Sequence, residues 1–149
     1  MMDALELLKA DHKKVKDLFE QAEELEGGKQ KVIFDQIAKE LQTHTYIEET
    51  IFYPAVEKHQ ELKEMVRESL KEHNQVKTQL KELEKLTPDD EEFEEKLEEL
   101  MECVEHHAEE EEEGKMFPKL KQIMKAAELE QLGRELQAAK QKAPTRKAG

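Results

Sequence analysis

An all-α fold is predicted: an antiparallel, up-and-down four-helix bundle built from two repeated helix pairs, with a short fifth helix behind it. Three observations predict it. Apolar residues recur at helical spacing along four segments of 24 or more residues. The connections between these segments are short, which favours antiparallel neighbours. The second half of the chain repeats the first at an offset of 61 to 64 residues.

The first segment runs from about Asp3 to Glu26, with Leu5, Leu8, Val15, Leu18, Phe19, Ala22 and Leu25 on one stripe. Gly27-Gly28 is expected to end it. The second runs from about Gln30 to Lys58, with Val32, Phe34, Ile37, Leu41, Ile47, Ile51 and Val56 apolar, and Pro54 is expected to kink it or end its regular part. The third spans about Glu61 to Leu86, with Leu62, Val66, Leu70, Val76, Leu80 and Leu83. Thr87-Pro88-Asp89-Asp90 stops it and restarts the chain. The fourth runs from about Glu91 to Met124 with Pro118 inside it. A fifth helix, about Glu128 to Lys140, packs Leu129, Leu132 and Leu136 on the bundle and leads to a flexible tail. Residues 1–125 are thus expected to form the bundle, and 126–149 the short helix and tail. Aromatic and β-branched runs bounded by turns are absent, so no sheet is expected.

Composition narrows the function. The chain has 149 residues, enough for one domain. Lys and Arg number 24 against 37 Asp and Glu, a net charge of −13 that opposes binding to nucleic-acid phosphates. No run of 18 apolar residues exists, so no membrane span is expected, and no secretory signal is visible. The single cysteine, Cys103, cannot form an internal disulfide. A cytoplasmic protein, monomeric or a small oligomer, fits these features.

The histidines carry the functional signal. His12, His44, His73 and His107 each lie on the apolar stripe of a different helix. A lone histidine there reads as a core residue with a local hydrogen bond. Four at repeat-related positions converge, and each buried imidazole needs a partner. A shared metal site partners all four. Glu48 stands one helical turn after His44, on the same face. In the second copy Glu111 holds the i+4 position after His107, and ordinary helix geometry favours it. Between His107 and Pro118 there is one more residue than between His44 and Pro54. Aligned from the prolines, the match of Glu48 is therefore Glu112, which suits a π-bulge in this helix. Six such ligands exceed what one four-coordinate zinc takes and suit two metals bridged by carboxylates, with iron, manganese and zinc compatible.

Other residues carry less. His106 turns about 100° from His107 and reads as an outer or exposed residue, and His59 as surface. Tyr53 reads mainly as core or edge, with an approach to the site as the lesser reading, Cys103 as a small buried hydrophobe, and Asp11 and Glu72 as hydrogen-bond partners for the imidazoles.

In these residues the chain resembles the hemerythrin-like, or HHE cation-binding, domains. Their pattern is a lone His, then H-x-x-x-E, then a lone His, then a His with a carboxylate four or five residues on. Here it reads His12; His44 with Glu48; His73; and His107 with Glu111 or Glu112. The resemblance covers about residues 3 to 125. It implies a non-haem centre of two iron ions, bridged by the two carboxylates and an oxo or hydroxo group. Oxygen-carrying hemerythrins have a fifth histidine one turn after the lone His of the third helix, where this chain has Lys77. The resemblance therefore implies binding, sensing or reduction of O2, peroxide or nitric oxide rather than oxygen carriage. Any catalysis would be peroxidase- or catalase-like, or NO reduction. Iron storage or homeostasis, and a structural bundle without metal, are the alternatives. Lys77 itself reads as a solvated residue, like its repeat match Lys16.

Overall fold

The computed structural model describes residues 2–143. Helix α1 covers Ala4–Glu23. Asp3 starts it by accepting from the Glu6 N–H at 2.9 Å, and Glu6 accepts from the Asp3 N–H at 3.1 Å. This reciprocal cap satisfies donors that a first turn leaves open. Helix α2 covers Gly27–Ile47 and continues through a π-helical turn, Glu48–Phe52, into Tyr53–Val56. A 3-10 turn, Gln60–Leu62, leads into α3, Lys63–Glu84. Helix α4 covers Glu91–Glu105 and continues through a long π-helical stretch, His106–Met116, into Phe117–Ile123. Helix α5 covers Ala126–Lys142. No strand occurs among the described residues. The tail expected beyond α5 lies outside the described residues.

One boundary differs from the sequence reading. The paired glycines begin α2 rather than merely ending α1, and Gly27 takes φ 59°, a conformation that spares a side chain strain as the chain reverses. Pro54 and Pro118 do not end their helices. Each stands just after a π-helical turn, and widening the helix there relieves the clash between the proline ring and the preceding turn.

The core is split by a polar layer. One apolar cluster holds Leu5 and Leu8 of α1, Phe52 and Val56 after α2, Leu62 and Val66 at α3, and Met116, Phe117 and Leu120 after α4. The other holds Val15, Phe19 and Ala22 of α1, Phe34, Ile37 and Leu41 of α2, Val76, Leu80 and Leu83 of α3, and Phe93, Leu97 and Leu100 of α4. Chains α1 and α3 pass from the first cluster to the second, and α2 and α4 pass back. That alternation is the up-and-down order. In each of α1 to α4 a histidine falls between the two clusters. Two stripe residues are corrected: Val32 is 56% exposed and Leu70 38%.

Helix α5 closes the first cluster with Leu129, Leu132 and Leu136. It lies very close to the start of α1. A Cβ on Gly133 would stand 2.6 Å from the Met2 carbonyl oxygen, so only a glycine permits this approach.

Candidate metal centre

Four imidazoles and two carboxylates fill the polar layer. His44, His73 and His107 are buried, His12 nearly so, and Glu48 and Glu112 have no exposed surface at all. They form two overlapping groups: His12, His44, Glu48 and Glu112, and His73, His107, Glu48 and Glu112. Within each group the donor atoms lie within 4.8 Å of one another. Both groups share the two carboxylates.

The Nε2 atoms face inward. His12 Nε2 and His44 Nε2 are 3.2 Å apart, and His73 Nε2 and His107 Nε2 3.1 Å. Glu48 Oε1 lies 2.9 Å from His73 Nε2 and 3.3 Å from His44 Nε2. Glu112 reaches the opposite pair, with Oε1 3.1 Å from His12 Nε2 and Oε2 3.3 Å from His107 Nε2.

Each ring is held from behind by a carboxylate on Nδ1. Glu113 holds His12 at 2.7 Å, Asp11 holds His44 at 3.1 Å, Glu49 holds His73 at 2.7 Å and Glu72 holds His107 at 2.6 Å. In the neutral rings that a metal would take, these bonds assign the proton to Nδ1, where it donates outward, and leave Nε2 aimed at the centre. The four partners are themselves repeat-related, Asp11 with Glu72 and Glu49 with Glu113. The expectation for Asp11 and Glu72 names two of them. Glu49 and Glu113 were missed, although the repeat that pairs Glu48-Glu49 with Glu112-Glu113 contained them.

The electrostatics follow from this crowding. Burial works against charge on His44, but Glu48 and Asp11 outweigh it and push its pKa up to about 10. Burial likewise opposes a charged His107, yet Glu112, Glu48 and Glu72 hold its pKa well above the ordinary value. Glu48, despite complete burial, is held well below the usual carboxylate range by His44, His107 and His73.

The donor set fits metal. Glu48 Oε2 is buried with no hydrogen-bond partner, and Glu112 Oε1 lies near His12 without hydrogen-bond geometry. An unpartnered buried carboxylate oxygen is costly unless something else coordinates it. Four inward Nε2 atoms crowd the same two carboxylates, and imidazole with carboxylate suits first-row transition metals.

The structure brings Glu112, not the expected Glu111, into the polar layer. Glu111 faces outward, pairing with Lys115 Nζ at 3.1 Å and lying 3.6 Å from His106 Nε2. The physical reason is the π-helical stretch. The Phe117 N–H bonds the Glu112 carbonyl, five residues back, just as the Tyr53 N–H bonds the Glu48 carbonyl. The wider turn rotates the fifth residue after His107, not the fourth, onto its face. Gly114 permits this winding, since a Cβ there would meet the Glu109 carbonyl at 3.0 Å.

Tyr53 enters the centre more directly than its core reading implied. Its hydroxyl donates to Glu112 Oε2 and lies 3.2 Å from Glu48 Oε1, His73 Nε2 and His107 Nε2. Burial first, then Glu112 and Glu48, pushes its pKa well up, so the phenol keeps its proton. His106 is half-exposed and bonds Glu110 at 2.8 Å. Cys103 is half-buried, with Gln79 at 3.4 Å. Lys77 is not simply solvated: its Nζ lies 2.9 Å from Glu49, the carboxylate behind His73.

On the second-cluster side, a cavity of about 20 Å³ lies against all four histidines, walled by Val15, Leu41, Val76, Val104 and Ala108. A cleft of about 320 Å³ opens from the surface between α1 and α4, and His12, Val104 and Ala108 border both spaces.

Buried imidazoles and shared carboxylates at the centre of a helical bundle define a metal-binding bundle protein. The hemerythrin HHE cation binding domain matches residues 3–120, and the chain belongs to that family. A crystal structure of a hemerythrin HHE cation binding domain-containing protein from Mycobacterium kansasii superposes with a TM-score of 0.84 at 29% identity. The match covers 96% of this chain and 88% of that one. A Nostoc sp. protein named DNA nickase is 28% identical over 150 residues, 99% of this chain. The chain spans only 42% of that relative's length. No helix among the described residues is long and apolar enough to cross a membrane.

Proposed function

We propose that this protein holds two iron ions and uses them to bind, sense or reduce a small oxidant: O2, peroxide or nitric oxide. His12 and His44 would hold one ion and His73 and His107 the other, with Glu48 and Glu112 bridging. The observation that carries this reading is the pair of ligand groups sharing two fully buried carboxylates. When bound, paired irons supply electrons to a small oxygen or nitrogen ligand.

The chain's own residues do the rest. The four outer carboxylates fix the imidazole tautomer and orientation. Tyr53 holds a proton beside Glu112 and steadies that carboxylate. The apolar walls of the inner cavity, about 20 Å³, leave room only for a ligand of very few atoms. They offer little to an ionic or large organic substrate. The −13 charge supports a reading without a nucleic-acid partner.

The test is to load Fe(II) anaerobically, count metal per chain, and record optical spectra on adding O2 and then peroxide. Two irons with charge-transfer bands are expected. Rapid oxidation with peroxide consumption marks an enzyme, and a stable reversible O2 spectrum marks a carrier or sensor. Folding unchanged with no bound iron sinks the proposal and leaves a structural bundle.

A further inference from the structure

The four imidazole–carboxylate pairs obey the internal repeat, but one is tied to an element outside it. Asp11 and Glu72 are repeat-related, and each holds a histidine of the following helix. Glu72 faces, beyond His107, the half-exposed His106 at 3.6 Å. Asp11 instead accepts from Lys140 Nζ of α5 on Oδ1, while its Oδ2 accepts from His44 Nδ1 at 3.1 Å. The other three imidazole–carboxylate distances are 2.6 to 2.7 Å. The longest bond is thus the one whose carboxylate is shared with Lys140. Glu49 also takes a lysine, Lys77, but from within the repeat, and that side chain is 44% exposed against 25% for Lys140. Water screens the more exposed charge more strongly. Helix α5 has no repeat counterpart and lies beyond the residues that match the family. It is fixed in place by Leu129, Leu132 and Leu136 and by the close approach of Gly133 to the Met2 carbonyl.

We propose that Lys140 is a positioning residue for the centre: through Asp11 and His44, the docking of α5 sets how strongly one metal position is ligated and makes the two positions unequal. This rests on the two-iron reading. A carboxylate shared with an ammonium draws less on the Nδ1–H behind it, so His44 is a weaker electron donor than its repeat match His107. The ion on the His12–His44 side is then the more easily reduced. Removing the lysine returns Asp11 to His44 alone and favours the ferric state.

The test uses the full iron-loaded chain with Lys140→Gln, Lys140→Arg and Gly133→Ala. Readouts are the reduction potential, by spectroelectrochemistry, and the Mössbauer spectrum, which separates two iron environments. Wild type is expected to show two unequal environments. Lys140→Gln should shift one of them and raise the preference for ferric iron roughly threefold to tenfold, at or below the low end of losses seen for outer partners. Lys140→Arg should keep wild-type values. Gly133→Ala, which loosens α5 while leaving Lys140 in the chain, should move the potential the same way as Lys140→Gln. Two bound irons with an unshifted Lys140→Gln potential overturn the relay alone. So does a Lys140→Arg shift as large as that of Lys140→Gln. A wild-type chain that takes up no iron overturns the two-iron reading, and this inference with it.

Discussion

The hydroxyl of Tyr53 donates to the carboxylate of Glu112, 59 residues away, and so joins the helix of one repeat to that of the other at the middle of the polar layer. Both side chains are buried. A hydrogen bond to a charged acceptor contributes roughly 1.5–3 kcal/mol, and more is lost when the acceptor stays buried and unpaired. Tyr53→Phe should therefore destabilise the metal-free protein by about 2 kcal/mol in urea denaturation. The loss should shrink once metal is loaded, because the carboxylate then has another partner. Equal losses with and without metal would show that Glu112 does not coordinate it.

Neighbouring glutamates give the sharpest test of the ligand set. Glu112→Gln should lower bound metal from two ions per chain, since one shared carboxylate loses its charge. Glu111→Gln should leave metal content unchanged, because that side chain faces Lys115 and His106 at the surface. Elemental analysis of the two purified variants decides between them. Metal lost from Glu111→Gln but not Glu112→Gln would reverse the assignment.

How far the sequence reaches is visible at these two residues. The helices, the inward histidines and Glu48 were all legible, because each follows from a 3.6-residue period that the apolar stripes declare. Glu112 was legible only as an alternative, since the 3.6 period breaks in the π-helical stretch and the single clue is one extra residue before Pro118. Tyr53 follows Glu48 by five residues, and it reaches the layer through the π turn at 48–52, which no apolar pattern marks. Lys140 was beyond reach for another reason. Its partner Asp11 is 129 residues away, and nothing in a helix period reports a tertiary pairing of that kind.

Without metal, stability should depend on pH in a way that metal reverses. His44 has its pKa raised in the fold from 6.5 to about 10. Its contribution is fully present below about pH 6.5 and is lost as pH rises toward 10. Glu48 is shifted the other way, so its contribution is present above the ordinary carboxylate value of 4.5 and is lost as pH falls through its lowered folded value. The metal-free protein should thus melt at the highest temperature near pH 5–6 and progressively lower toward pH 9.5. Metal binds the neutral imidazoles and releases their protons, so loaded protein should gain stability relative to the metal-free form as pH rises. Thermal melts by circular dichroism at pH 5.5, 7.5 and 9.5 check both slopes. A metal-free melting temperature that rises over this range would contradict the charged-imidazole picture.

Ala108 stands where the outer cleft and the inner cavity meet, and it is almost fully buried. Its methyl group, with His12 and Val104, separates a space of about 320 Å³ from one of about 20 Å³. A small ligand entering from this cleft must pass that wall. Ala108→Leu adds three carbons at the junction, enough to fill the inner cavity. Overpacking of this kind costs about 1–3 kcal/mol, which a bundle of this size tolerates. Bound metal should be unchanged, because neither Ala108 nor its backbone ligates. The rate of oxidation by O2 or peroxide should fall on the order of tenfold, about 1.4 kcal/mol in barrier. Ala108→Gly should match or exceed wild type. Stopped-flow traces on iron-loaded protein read both rates, with metal counted in the same samples. An Ala108→Leu rate equal to wild type at full metal content would mean that the ligand reaches the centre by another path.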